Sequence, residues 1–98
     1  MAAPATFTEE SITVSTTAVG FTAGTYDPGT GGVATGVVVT VETAAIRYWT
    51  SGTAPTATTG HVLEPGDVLE LDRSEDIKNF KAIRRDGIDA TIRVSYFR

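Results

Sequence analysis

The chain has no cysteine. That excludes disulfides, thiolate metal ligands and a cysteine nucleophile. His61 is the single histidine, so a site built on several imidazoles is excluded too. Lysine is confined to Lys78 and Lys81, and eight basic against twelve acidic residues give a formal net charge of −4. This balance argues against a general polyanion binder, and no nucleic-acid partner is expected. Long apolar runs are also missing. The longest valine run is Val37 to Val39, far short of a membrane-spanning helix, and no membrane association is expected. Met1-Ala-Ala-Pro-Ala-Thr6 lacks the basic and apolar regions of a secretory signal.

What is present points to strands. Of 17 threonines, 16 lie at or before Thr59, and valine plus isoleucine outnumber leucine by 16 to 3. β-branched side chains are stiff at χ1 and fit a pleated surface. Ten glycines and four prolines supply turns. A chain of 98 residues is one domain's worth. The expected fold class is all-β: a small β-sandwich or barrel of about seven short, mostly antiparallel strands. Residues 1–9 read as a flexible N-terminal arm, and residues 10–98 as the single domain.

Alternation and punctuation place the strands. Ser11 to Val14 alternates, and Val19-Gly-Phe21 extends or restarts that strand. Gly24 to Gly32, with Asp27-Pro-Gly29, reads as a surface loop. Val33 to Thr43 is the longest strand, with Val37, Val39 and Val41 on one face. Ala45 to Thr50 follows, with Ile46 and Tyr48 opposite Arg47 and Trp49. His61 to Leu63 and Val68 to Leu71 read as partners across a type II turn at Glu64-Pro-Gly-Asp67. Ser74 to Phe80 predicts one helical turn, with Ser74 as N-cap and Ile77 and Phe80 pointing inward. Phe80 to Arg85 and Asp89 to Phe97 read as a closing hairpin around Asp86-Gly87. In the last strand Ile92, Val94 and Tyr96 share the core face, and Arg93 lies opposite.

The chemistry-bearing residues do not assemble into a known constellation. Pro65-Gly-Asp67 resembles a cupin turn, but cupin chemistry needs a histidine cluster. Glu64, Asp67, Glu70 and Asp72 are close in sequence, yet acids flanking a tight turn are ordinarily solvated, unlike a glycosidase pair facing across a cleft. There is no nucleophile elbow and no P-loop spacing. The expectation is therefore no enzyme, no catalytic residue, no cofactor and no metal. Four residues remain as candidate partner contacts: Trp49, Arg84, Arg85 and Arg93. Trp49 is either core beneath the 50–60 connection or an exposed platform for a sugar or protein. Lys81, Arg84, Arg85, Arg93 and Arg98 form a late basic stripe, with Asp86, Asp89 and other acids as pairing partners. Residues 1–70 carry −6 and residues 71–98 carry +2, an asymmetry suited to orienting a module against a partner of mixed sign.

One resemblance spans nearly the whole chain. Its carriers are Ile46-Arg-Tyr48, Gly52-Thr-Ala-Pro-Thr-Ala-Thr-Thr-Gly-His61, Leu63-Glu-Pro-Gly-Asp-Val-Leu-Glu-Leu71, Phe80-Lys-Ala-Ile-Arg84 and Asp89-Ala-Thr-Ile-Arg-Val-Ser-Tyr-Phe97. Ser11-Ile-Thr-Val14 and Thr17-Ala-Val-Gly-Phe21 also fit. In these the chain resembles a small family of virion structural proteins encoded by tailed phages and prophages. It departs in a longer glycine-rich insert between Tyr26 and Val33. The resemblance implies a minor structural protein of the particle, such as a head decoration protein made in the host cytoplasm. Its partners would be the major capsid protein or other virion proteins, and it would act as a homo-oligomer or in multiple copies. A tail or neck accessory protein, or a carbohydrate- or host-surface-binding β-sandwich, is the alternative.

Overall fold

A computed structural model describes residues 5–98. The elements, in chain order, are β1 (Thr6–Val14), α1 (Ala23–Tyr26), β2 (Gly36–Glu42), β3 (Ile46–Trp49), β4 (His61–Leu63), β5 (Val68–Leu71), α2 (Ser74–Asn79), β6 (Lys81–Arg84) and β7 (Ala90–Phe97). Seven strands form two antiparallel sheets, one ordered β1-β7-β2-β5 and the other β4-β3-β6. The fold is all-β and sandwich-like.

The core follows from strict alternation on the two central strands. Val37 pairs with Tyr96, Val39 with Val94 and Val41 with Ile92, and all six are at most 2% exposed. Ile12 and Val14 on one side and Leu69 and Leu71 on the other extend this apolar face. Across the interior, the three-stranded sheet contributes Ile46, Leu63 and Ala82, and the end of α2 contributes Ile77 and Phe80. Phe21 stacks on Phe80 with centroids 4.2 Å apart and meets Tyr96 edge-on at 5.8 Å. Gly20 makes that approach possible, because a Cβ there would lie 2.8 Å from the Phe80 carbonyl oxygen.

Several expectations need correction. Residues 6–9 are not part of an arm: β1 starts at Thr6, and Thr8, Glu9 and Glu10 pair with Tyr96, Ser95 and Val94. The apolar signal there is weak because the inner positions are Thr8 and Glu10. Residues 1–4 of the expected arm lie outside the described residues. Val19 does not extend β1; it makes an isolated antiparallel bridge to Ala82. Part of the expected loop at 24–32 belongs to α1, a single helical turn.

The expected partners β4 and β5 lie in different sheets. The turn between them is of the expected type, with Gly66 at φ +93°. It docks on β2 instead of closing a hairpin: Gly66 N–H donates to the Val41 oxygen and Val41 N–H to the Asp67 oxygen. The expected hairpin of β6 and β7 likewise divides between the sheets. Alternation gives the buried face of a strand, whereas its neighbour depends on contacts distant in sequence. Ser74 does not cap α2; Arg73 holds that position, and the Ser74 hydroxyl donates to the Ala34 oxygen at 3.1 Å. The link from β2 to β3 is tight. Ala44 N–H donates to the Glu42 oxygen, and Thr43 between them has φ +78°, a strained three-residue turn.

Candidate functional site

The four-stranded sheet presents an open outer face. Its cross-strand rows are Glu9–Ser95–Val38–Glu70, Ser11–Arg93–Thr40–Val68 and Thr13–Thr91–Glu42. These are small, β-branched or acidic side chains around one arginine. Arg93 Nε donates to Glu42 Oε2 at 2.7 Å and Nη1 to Ser11 Oγ at 2.7 Å. Arg93 thus ties β7 to both of its neighbours. Val68 is 57% exposed. At one end Gly36, Val38, Leu71 and Phe97 line a shallow apolar depression bordered by Glu70 and Asp72.

Arg84 and Arg85 lie elsewhere, where β6 leaves the smaller sheet. Arg84 Nη1 is 2.6 Å from Asp89 Oδ1, which also accepts from Ser15 Oγ at 2.7 Å. The Ser15 hydrogen bond, then that of Arg84, holds the Asp89 carboxyl below the usual carboxylate range. Arg85 bonds Asp86 through Nε and Nη2 and reaches Glu64 through Nη1. Its guanidinium is pushed further above its ordinary value, first by Asp86 and then by Glu64. These two arginines and Asp86, with Thr16, Ala57 and Ile83, line a shallow depression.

Trp49 is half-buried and is not among the side chains of the core cluster, so it is neither a fully buried core residue nor a fully exposed platform. Ile46 and Tyr48 take the inner face of β3; Tyr48 packs toward Phe80 at 5.7 Å, and burial raises its phenol pKa. The Trp49 ring meets His61 edge-on at 5.2 Å. Its neighbour Arg47 supports the 50–60 connection, donating to the Ala57 and Gly60 oxygens at 2.9 Å each. The structure therefore does not gather Trp49, Arg84, Arg85 and Arg93 into one site. They occupy three separate surfaces.

Two polar clusters escaped the sequence reading. Glu10 is an inner-face residue of β1, and its carboxylate accepts from the Tyr96 hydroxyl and from Thr22 Oγ1, the latter at 2.6 Å. Burial first, and the Glu10 hydrogen bond second, push the Tyr96 phenol far above its ordinary value. A strand begun at Thr6 would have placed Glu10 inward by alternation. The other cluster holds the glycine-rich insert. Arg98 Nη1 donates to the Thr30 and Gly32 oxygens at 3.0 and 2.9 Å, with its guanidinium carbon 4.0 Å from the centroid of the Phe7 ring. No short-range sequence signal links positions 7, 30 and 98.

The acids near the Glu64–Asp67 turn divide their roles. Asp67 Oδ2 accepts from the Glu64 N–H at 2.7 Å, Glu64 pairs with Arg85, and Glu70 faces outward. Among the described residues, no group of three or more His, Asp or Glu side chains is placed to hold a metal ion. Among them too, no helix is long and apolar enough to cross a membrane. No family model, curated protein or solved structure matches the chain.

Proposed function

We propose that this protein is a non-enzymatic structural component of a tailed-phage particle, a decoration protein bound to the outside of the head. The resemblance to virion structural proteins supplies the class. The observation that supports docking is the outer face of the four-stranded sheet. It is broad, most of its side chains are small or β-branched, and Arg93 is already engaged with Glu42 and Ser11. Such a face suits contact with another folded surface, such as the major capsid protein. Many copies, each bound modestly, add up through multivalency to reinforce a shell. The arginines fit the same reading: Arg84 and Arg85 are held by Asp89, Asp86 and Glu64, a fixed pattern of mixed charge that a partner surface can meet.

Trp49, half-buried and outside the core cluster, motivates a second reading, a carbohydrate- or host-surface-binding module. A tryptophan emission shift with a glycan panel supports that reading, and silence across the panel removes its anchor. The primary test is mass spectrometry of purified mature particles. The chain is expected as a particle component, and its absence overturns the proposal.

A further inference from the structure

β1 is a nine-residue strand at an edge of the four-stranded sheet. Its direction of pairing can be worked out. On β7, the Phe97 oxygen accepts from Thr35 on the β2 side, while Arg98 exchanges bonds with Ala5 on the β1 side. Alternation then directs the backbone groups of Tyr96, Val94 and Ile92 toward β1. Their partners Thr8, Glu10 and Ile12 bond inward. Glu9, Ser11 and Thr13 therefore aim their N–H and C=O groups away from the sheet. All three are exposed, and none of these backbone groups has a partner among the described residues.

Other edges are short or closed. β4 has three residues and β5 has four. The far side of β6 is closed by reciprocal bonds between Val19 and Ala82 and by the Arg84 N–H bond to the Ser15 oxygen. Natural edges are usually blunted by charge, above all lysine, by proline, by bulges or by shortness. β1 has no lysine or proline; its inward Glu10 is engaged by Tyr96 and Thr22, its Glu9 side chain lies on the outer face, and its bulge lies at Phe7, between Thr6 and Thr8, leaving the stretch from Thr8 to Val14 regular.

We propose that β1 pairs antiparallel with β1 of a second copy of this chain, about a two-fold axis at Ser11. The outward groups of Glu9, Ser11 and Thr13 are spaced symmetrically about Ser11, so a second copy presents the matching set, and charge selects the register. Centring on Glu10 sets two glutamates directly opposite each other, a repulsive pair. Centring on Ser11 places Glu9 against Thr13 and Glu10 against Ile12, with Thr8 opposite Val14. This is the longest two-fold register without opposed acids, and it matches outward groups with outward groups. The product is a continuous eight-stranded sheet with the two outer faces side by side. The pairing rests on strand geometry and is independent of the virion reading.

The test is sedimentation equilibrium of the full chain, with hydrogen exchange on the same samples. A monomer–dimer equilibrium is expected, with slowed exchange at the Glu9, Ser11 and Thr13 amides in the dimer alone. Ser11→Glu sets two carboxylates face to face at the axis, while Arg93 opposite it within the sheet can pair with the new charge; it should weaken dimerisation by about tenfold or more, with an unchanged circular dichroism spectrum. Thr13→Lys, off the axis and opposite Glu9, should leave the dimer intact. A monomer up to about 1 mM, where only negligible affinity would remain, overturns the pairing. So does a dimer that survives Ser11→Glu or leaves those three amides unprotected. Failure here leaves the particle test standing, because a monomer can still decorate a shell.

Discussion

Val94 lies between Val39 and Glu10 in the ladder and is 2% exposed. Val94→Asp would bury an unpaired carboxylate beside Glu10, which costs several kcal/mol. A domain of this size has only about 5–15 kcal/mol of net stability, so little soluble protein is expected in an expression assay. Arg93→Glu, one residue away on the solvent face, should fold with a change within roughly 1 kcal/mol by denaturant titration. If that face docks, the variant should decorate particles poorly and with altered salt dependence. Asp89 gives a pH signature. Its carboxyl is held low in the fold, so the stability it contributes is fully present above its unfolded value of about 4. That stability disappears as pH falls through the lower folded value. Asp89→Asn should therefore lower Tm at neutral pH, with the difference from the parent vanishing in strong acid. Tyr96 works in the opposite direction. Its phenol is raised by burial and by Glu10, so stability should fall above about pH 10, where the unfolded tyrosine ionises.

Each element shows a different mixture of what the sequence reveals and what it conceals. β2 and β7 are legible because Val37, Val39, Val41 and Ile92, Val94, Tyr96 repeat with a period of two, the period of a pleated strand. Ile77 and Phe80 are legible for the corresponding helical reason. Strand partners are hidden, since the turns at Glu64–Asp67 and Asp86-Gly87 have hairpin composition yet carry the chain between sheets. β1 is half hidden because its inner face mixes Glu10 and Thr8 with Ile12 and Val14. The candidate arginines are legible as charges, but not as the ion pairs they form with distant acids. Removing residues 1–9 should sharply lower Tm in a thermal melt, because it strips Thr6–Glu9, nearly half of an integral strand, together with the Phe7 contact to Arg98; an unchanged melt would restore the flexible-arm reading. The turn at Thr43 makes another prediction. A β-branched residue at φ +78° is strained, and Thr43→Gly should stabilise the domain by about 1 kcal/mol, read as a higher denaturation midpoint.

At the scale of the whole molecule, the two sheets divide the labour. The β4-β3-β6 sheet, α2 and the Phe21–Phe80 stack close the core, while the β1-β7-β2-β5 sheet keeps its outer face open. The clamp of Arg98 on the 30–32 backbone fixes the glycine-rich insert beside Phe7. The most direct measurement of the proposed role is a cryo-EM reconstruction of mature particles at a resolution that resolves strands. The account predicts this seven-stranded domain on the outer shell, in numbers proportional to the major capsid protein, with its four-stranded face against a neighbour. Its absence from the shell, or a single ring of about six or twelve copies at the neck or tail, would contradict a head decoration protein.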